Sequence, residues 1–501
     1  MLDIDWTTDE PASATGQLLA IPLREGFEPE ALAQRFGAGV RDAVGHSTFA
    51  GKAGETYAFT RAHGEHLQHV MLVGAGDLTD PAALRQLTHD AAREAQRVGA
   101  AHLVLDLHGA DGLPAEGDDA PRVGSLVAQG LELGTYAYER FLSESNRRPR
   151  TLQRVSAWGR SAAPAEGTRR GQIIAASIAR ARDLGNGPPG LVTPTFLAQT
   201  AEDITASLSS AGHDVTLTVL DHEQCQARGM GCYLGVAQGS DQPPKFIHLA
   251  YRPKDVTDPT RVCLVGKGVT FDSGGYSLKP TEGMLDMKLD MCGSAAVISA
   301  FEGAVQLEVP YELHVLVAAA ENLVSGKAYK LGDVLIASNG KTVEINNTDA
   351  EGRLTMADAM VYGAALKPEL MIDFATLTGA CIVALGPRIA GVMTHDEALH
   401  ADWMAASERS GEAMWRLPLP GNLKEQLKSK IADMRNTGER WGGAITAGLF
   451  LSEFTEGIRW MHVDIAGPAM ASKAYGVTTP GGTGVPVATI LELLSGELQT
   501  S

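Results

Sequence analysis

Short apolar runs alternate along most of this chain with longer stretches in which apolar residues recur every three or four positions. Near the start, His69 to Val73 reads as a buried strand, Pro81 to Val98 as a helix and Leu103 to Leu107 as a second strand, which makes a βαβ unit. Composition turns loose over Gly159 to Thr168, a linker pattern, after which Ile174, Ile178 and Ala181 recur as on one helix face. Gly185-Asn-Gly-Pro-Pro-Gly190 ends that helix. Beyond it, apolar runs at Lys245 to Ala250, Val262 to Val265, Leu313 to Ala320, Leu370 to Phe374 and Trp460 to Ile465 alternate with helix-like stretches such as Ala295 to Val305. The expected fold is therefore α/β, with a smaller N-terminal α/β domain at 1–158 and a linker and connecting helix at 159–185. A larger C-terminal α/β domain follows at 186–501, its mostly parallel central sheet covered by helices on both faces. Two β-patterned runs between Asp333 and Asn346 flank Asn339-Gly340, which predicts a hairpin.

Composition narrows the function classes. The 501 residues suit two or three domains, and with 44% hydrophobic and 20% charged residues the chain can bury a substantial core. A formal charge of −18 disfavours a protein that coats nucleic acid, while leaving room for a local basic stripe. Acids stand in the first ten residues where an export signal would carry Lys or Arg, and the apolar stretch Glu369 to Gly386 is broken by Asp373 and Gly379 before it reaches a membrane-spanning length. Five scattered cysteines, odd in number and without a CxxC pair, argue against a disulfide framework and a zinc knuckle. A soluble, reducing, cytoplasmic setting is expected.

Several motif-like features read as structure. Gly74-Ala-Gly76 opens a helix as a dinucleotide loop does, but Thr79 replaces the third glycine, and an ordinary turn is expected. Lys267 in Gly266-Lys-Gly268 lacks the following Ser/Thr of a phosphate-binding loop. His63, His66 and His69 form no HExxH-type pattern and His69 enters a strand, so a solvated or structural role is expected, and Ser273 lies in no nucleophile elbow.

Two segments carry chemistry. Val265 to Gly275, continuing to Lys279 and Met287 to Gly293, and Asn347 to Leu354 place polar residues after apolar strand patterns, where ligands bind in open α/β sheets. Asp349, Glu351 and Arg353 stand at alternate positions, so extended backbone would send all three to one face. If Asp272 and Asp290 converge there as well, Arg353 cannot balance them, whereas two divalent cations neutralise four carboxylates; an oxygen-rich set without His suits Mn, Mg or Zn. The bland alternative is a helix cap at Asp272 and a surface ion pair of Asp349 with Arg353.

The combination resembles the leucyl aminopeptidase family of dinuclear metallopeptidases. Asn-Thr-Asp-Ala-Glu-Gly-Arg-Leu at 347–354 is that family's signature octapeptide, joined by matches at 265–275, 325–329, 375–380, 442–448 and 463–467. The resemblance runs from about Arg169 to the C-terminus, and the first domain shares only βα character. It implies release of N-terminal amino acids from peptides by a metal-bridging water. Asp272 and Glu351 would bridge two divalent ions, Asp349 would complete one site, and Lys267 with Asp290 the other. Lys279 would stabilise the oxyanion, and Arg353 would hold a bicarbonate. Met287, Thr376, Gly379 and Ala466 would line a pocket for a Leu or Met side chain. Val324 and Leu331 replace prolines of many relatives, and Pro468 and Ala469 leave the far pocket wall open. Relatives are homohexamers, which sets the expectation here. A dinuclear phosphoester hydrolase and a DNA-binding architectural relative are the competing functions.

Overall fold

The computed structural model describes residues 1–9, 18–63, 66–110, 113–114 and 116–498. The chain divides into two compact units, Met1–Ala179 with Ala474–Thr478, and Arg180–Lys473 with Thr479–Ser501.

The first unit runs β1 (Asp3–Thr7), β2 (Leu18–Leu23), α1 (Pro29–Phe36), α2 (Ala38–Gly45), β3 (Thr56–His63), β4 (His66–Gly74), α3 (Pro81–Val98), β5 (His102–Asp106), α4 (Ala120–Gly134) and β6 (Arg154–Trp158). Its sheet has the order β1-β6-β5-β2-β4-β3, parallel except for the β3–β4 hairpin. Helix α3 forms where the periodicity predicts. Asp80 accepts the Ala82 N–H at 3.0 Å, Pro81 occupies the first turn, and Gly99 closes the helix in the left-handed region. Its Leu84, Leu87, Ala91, Ala92 and Ala95 bury against the sheet with Leu18, Val73, Leu103 and Val155. The Gly74–Gly76 turn leads into this helix as an ordinary βα connection. His63 and His66 are paired across the end of the β3–β4 ladder, while His69 Nδ1 lies 2.9 Å from the Thr60 hydroxyl.

Helix α5 (Ala165–Asn186) crosses the division between the units, and the second unit continues α6 (Pro194–Ser210), β7 (Asp214–Leu220), α7 (His222–Ala227), α8 (Gly231–Ala237), β8 (Lys245–Arg252), β9 (Arg261–Asp272), α9 (Thr281–Met284), α10 (Cys292–Gln306), β10 (Glu312–Asn322), β11 (Val334–Ile336) and β12 (Thr342–Glu344). It then adds α11 (Gly352–Ala365), β13 (Leu370–Ala375), α12 (Gly379–Leu385), β14 (Ala390–Met393), α13 (Glu397–Ser410), β15 (Met414–Arg416), β16 (Met434–Arg435), α14 (Gly443–Ser452) and β17 (Trp460–Asp464). The main sheet has the order β15-β14-β17-β13-β9-β10-β8-β7. Its four central strands, β17, β13, β9 and β10, are parallel, and antiparallel pairings occur toward both edges. Strands β9, β10 and β13 are buried almost throughout, as a sheet covered on both faces requires. The β11–β12 hairpin forms around Asn339-Gly340, with Gly340 at φ 87°. All five cysteines are buried and free, and among the described residues no helix is long and apolar enough to cross a membrane.

Two local expectations are corrected. Strand β9 runs to Asp272, past the end predicted at Val265, so Lys267 projects from inside a strand. Residues 347–351 form a turn feeding α11, so alternation along extended backbone is not what gathers Asp349, Glu351 and Arg353.

Candidate active site

The C-terminal ends of the four parallel strands meet at one place. Asp272 ends β9, Asn322 ends β10, Thr376 follows β13, and Asp464 ends β17. After Asp272 the chain reverses through Gly274 and Gly275 at φ 85° and 63°, a conformation open to glycine, and returns Lys279 toward the strand end. The short 3₁₀ turn Met287–Leu289 delivers Asp290 just before α10, and the 347–351 turn delivers Asp349 and Glu351. That turn is held by Thr348. Its carbonyl accepts from Asn322 Nδ2 at 2.9 Å and Tyr329 Oη at 2.8 Å, and its hydroxyl donates to the Gly274 carbonyl at 2.7 Å.

Oxygens of Asp272, Asp290 and Glu351 lie within 4.8 Å of one another. Lys267 Nζ reaches Asp290 Oδ1 at 2.7 Å and Glu351 Oε1 at 2.9 Å, and donates to the Thr376 carbonyl at 3.0 Å. Lys279 Nζ sits between Asp272 Oδ2 at 2.8 Å and Asp349 Oδ1 at 2.5 Å. Thr376 Oγ1 donates to Asp290 Oδ1 at 2.8 Å, and Asn322 Nδ2 to Asp272 Oδ1 at 2.8 Å. The path for Lys267 depends on Gly352, where a Cβ would stand 2.3 Å from Lys267 Cε. Arg353, the second residue of α11, is buried; its Nη1 donates to the Asn436 carbonyl at 2.7 Å. It pairs with neither Asp349 nor the surface, so the bland ion-pair reading fails.

The electrostatics are strained in a particular direction. Lys267, Asp272, Asp290 and Glu351 are each 5% exposed or less. Burial pushes the Asp272 carboxyl up to about 6, aided by the Glu351 charge, and lifts Asp290 well above the usual carboxylate range against the pull of Lys267. Burial opposes the Glu351 charge too, but Lys267 and Lys279 outweigh it and hold that carboxyl at about 2. Burial alone would favour a neutral Lys267; Asp290, Glu351 and Asp272 outweigh it and hold the ammonium above its ordinary value. Burial lowers Arg353 to about 10. Four carboxylates thus share two ammonium groups. Asp290 Oδ2 and Glu351 Oε2 are buried with no hydrogen-bond partner, while Asp349 Oδ1 and Glu351 Oε1 have only a lysine ammonium as partner. Buried oxygens left this way are costly, and an oxygen-rich donor set with unspent lone pairs fits divalent cations.

The chain matches the profile of the cytosol aminopeptidase family catalytic domain over residues 179–491 and that of the family's N-terminal domain over 22–145. It belongs to the cytosol aminopeptidase family. It is a metal-dependent aminopeptidase, a hydrolase of the metallo-exopeptidase kind. A probable cytosol aminopeptidase of Synechococcus sp. (strain CC9605) is 43% identical over 484 residues, which cover 95% of this chain and 96% of the relative. One from Acaryochloris marina is 44% identical over 463 residues, 91% of each chain. Among solved structures, a mutant of tomato leucine aminopeptidase superposes with TM-score 0.89 at 35% identity, covering 99% of this chain and 96% of that one. The bottromycin maturation enzyme BotP in complex with Mn gives 0.84 at 33%, covering 96% and 99%.

Of the pocket residues expected from the sequence, Thr376 touches the cluster directly and Met287 opens the turn that carries Asp290. Gly379 is exposed, with open space where a Cβ would stand, and Ala466 is half-buried. Sequence reading missed Asn322, Thr348, Asn436 and Asp464. Asn322 is the first polar amide beyond the apolar run of β10, and Asp464 lies inside the matched 463–467 segment, so each had a signal in its position.

Proposed function

We propose that the chain releases N-terminal amino acids of Leu or Met type, using two divalent cations held by Asp272, Asp290, Asp349, Glu351 and Lys267. The convergence of Asp272, Asp290 and Glu351, with Asp290 Oδ2 and Glu351 Oε2 buried and unpartnered, carries this reading. Mn or Zn, with Mg also suited to the oxygen donors, would supply the Lewis acidity that makes water a nucleophile near neutral pH and would anchor a free α-amine. Lys267 can join that set only as a neutral amine, so cation binding has to displace its proton. Lys279 is the cation that faces developing negative charge on the scissile carbonyl oxygen. Arg353, buried with an unpartnered Nε, would hold a bicarbonate at the start of α11, and that anion would supply a proton acceptor beside the site. Met287, Thr376, Gly379 and Ala466 line the side-chain pocket. Catalysis belongs to residues 186–501, joined through 159–185 to a domain at 1–158. A homohexamer and a cytoplasmic location complete the family-based proposal.

Metal analysis and a substrate panel test it together. Free-amine Leu- and Met-p-nitroanilides should be hydrolysed, their N-acetyl forms left intact, and about two divalent ions found per chain. Hydrolysis of p-nitrophenyl phosphate in place of the anilides would overturn the assignment in favour of phosphoester chemistry.

A further inference from the structure

Asp464 is fully buried at the end of β17. Its Oδ1 accepts the Leu377 N–H at 3.2 Å and the Ala466 N–H at 3.1 Å, and its Oδ2 accepts the Thr378 hydroxyl at 2.7 Å. A buried carboxylate satisfied by neutral donors is costly to maintain, and charge-assisted bonds of this kind are about twice as strong as neutral ones. What those bonds hold explains the expense. Leu377 and Thr378 follow directly on Thr376, whose carbonyl accepts from Lys267 and whose hydroxyl donates to Asp290. Thr378 then caps α12 by accepting the Cys381 N–H at 3.0 Å, which fixes where Gly379 begins the helix. Ala466 is tied to the same oxygen from the other side. Three of the four residues assigned to the side-chain pocket, Thr376, Gly379 and Ala466, are therefore held in one frame by a single side chain.

Resting on the aminopeptidase reading above, we propose that Asp464 is a positioning residue that sets side-chain preference. It locks the 376–379 segment against residue 466, and through Thr376 it steadies Lys267 and Asp290. Asp464 touches neither substrate nor the scissile bond. Its removal should loosen the pocket wall, so a large first side chain loses more than a small one.

The test uses the full-length, Mn-loaded enzyme and the variants Asp464→Asn, Thr378→Val and Thr378→Ser. Values of kcat and KM are measured for Leu- and Ala-p-nitroanilide, binding of free leucine and alanine by calorimetry, and metal content and circular dichroism on the same samples. Asp464→Asn should stay folded and metal-loaded while its Leu-over-Ala ratio of kcat/KM falls about tenfold, mainly through KM, the size of a one-methylene discrimination. Leucine binding should weaken by a similar factor and alanine binding hold. Thr378→Val should shift the ratio the same way, whereas Thr378→Ser, which keeps the hydroxyl, should retain the parent's ratio. A folded, metal-loaded Asp464→Asn enzyme with the parent's ratio, or one that loses both substrates equally, overturns the proposal. If Asp464→Asn does not fold, Thr378→Val against Thr378→Ser decides by the same criteria. A parent enzyme inactive on both anilides would instead overturn the aminopeptidase reading, and this proposal with it.

Discussion

Glu351 meets the Lys267 ammonium through Oε1 at 2.9 Å, and its Oε2 is buried without a partner. If it bridges two ions, Glu351→Ala should abolish turnover and lower the metal content found by elemental analysis; near-normal activity would refute the assignment. Lys279 differs, because it contacts Asp272 and Asp349 from the rim of the cluster. Lys279→Ala should lower kcat about 10²–10³-fold with both metals retained, the usual loss for one oxyanion donor. A change in metal content alone would make Lys279 a ligand. The charged residues to suspect were legible through the resemblance of 347–354 and its companion segments to one family; their alternation along the chain was not the reason, because residues 347–351 form a turn. Asn322 offered only its place after the apolar run of β10, since its role comes from the β9–β10 register that sets it beside Asp272, which a one-dimensional pattern does not specify.

At the scale of elements, apolar periodicity located α3 and the cores of β4, β8, β10 and β13, because those segments bury hydrophobic faces. It cut β9 short, because a charged residue reads as a strand end unless its partners are known, and Lys267 is tolerated only with Asp290 and Glu351 beside it. It passed over β7, an edge strand that alternates exposed and half-buried positions. Helix α11 illustrates how the elements are fastened. Its Asp358 accepts the Tyr233 N–H of α8 at 2.8 Å and the Ser338 N–H of the β11–β12 turn at 2.7 Å. Burial nevertheless pushes that carboxyl from 3.8 up to about 6. Protonation therefore favours the fold: this contribution is full below 3.8 and is lost as pH rises through about 6. Urea unfolding at pH 4 and pH 7 should show the parent losing about 1–3 kcal/mol relative to Asp358→Asn between the two pH values. Parallel pH dependences would refute the assignment.

Across the whole molecule, the formal charge of −18 makes the concentration of carboxylates at the strand ends a liability unless cations reside there. Stripping divalent ions with a chelator should abolish turnover and lower the melting temperature while leaving the far-ultraviolet spectrum native, because the second unit keeps an extensive apolar core built from side chains that hold no ion. Restored Mn at a hundred times its dissociation constant should return about 2.7 kcal/mol of stability for each site it fills. Calorimetry showing no metal-dependent shift would mean that the acidic cluster binds no ion tightly.

The Asn322 amide has a further consequence. Its two hydrogens are spent on Asp272 and on the Thr348 carbonyl, one from each of the motifs that sequence separates by more than seventy positions. The two halves of the acidic cluster are thereby riveted to a common point. Lesions on either side should be felt on the other, and their energetic effects, taken in pairs, should fail to add.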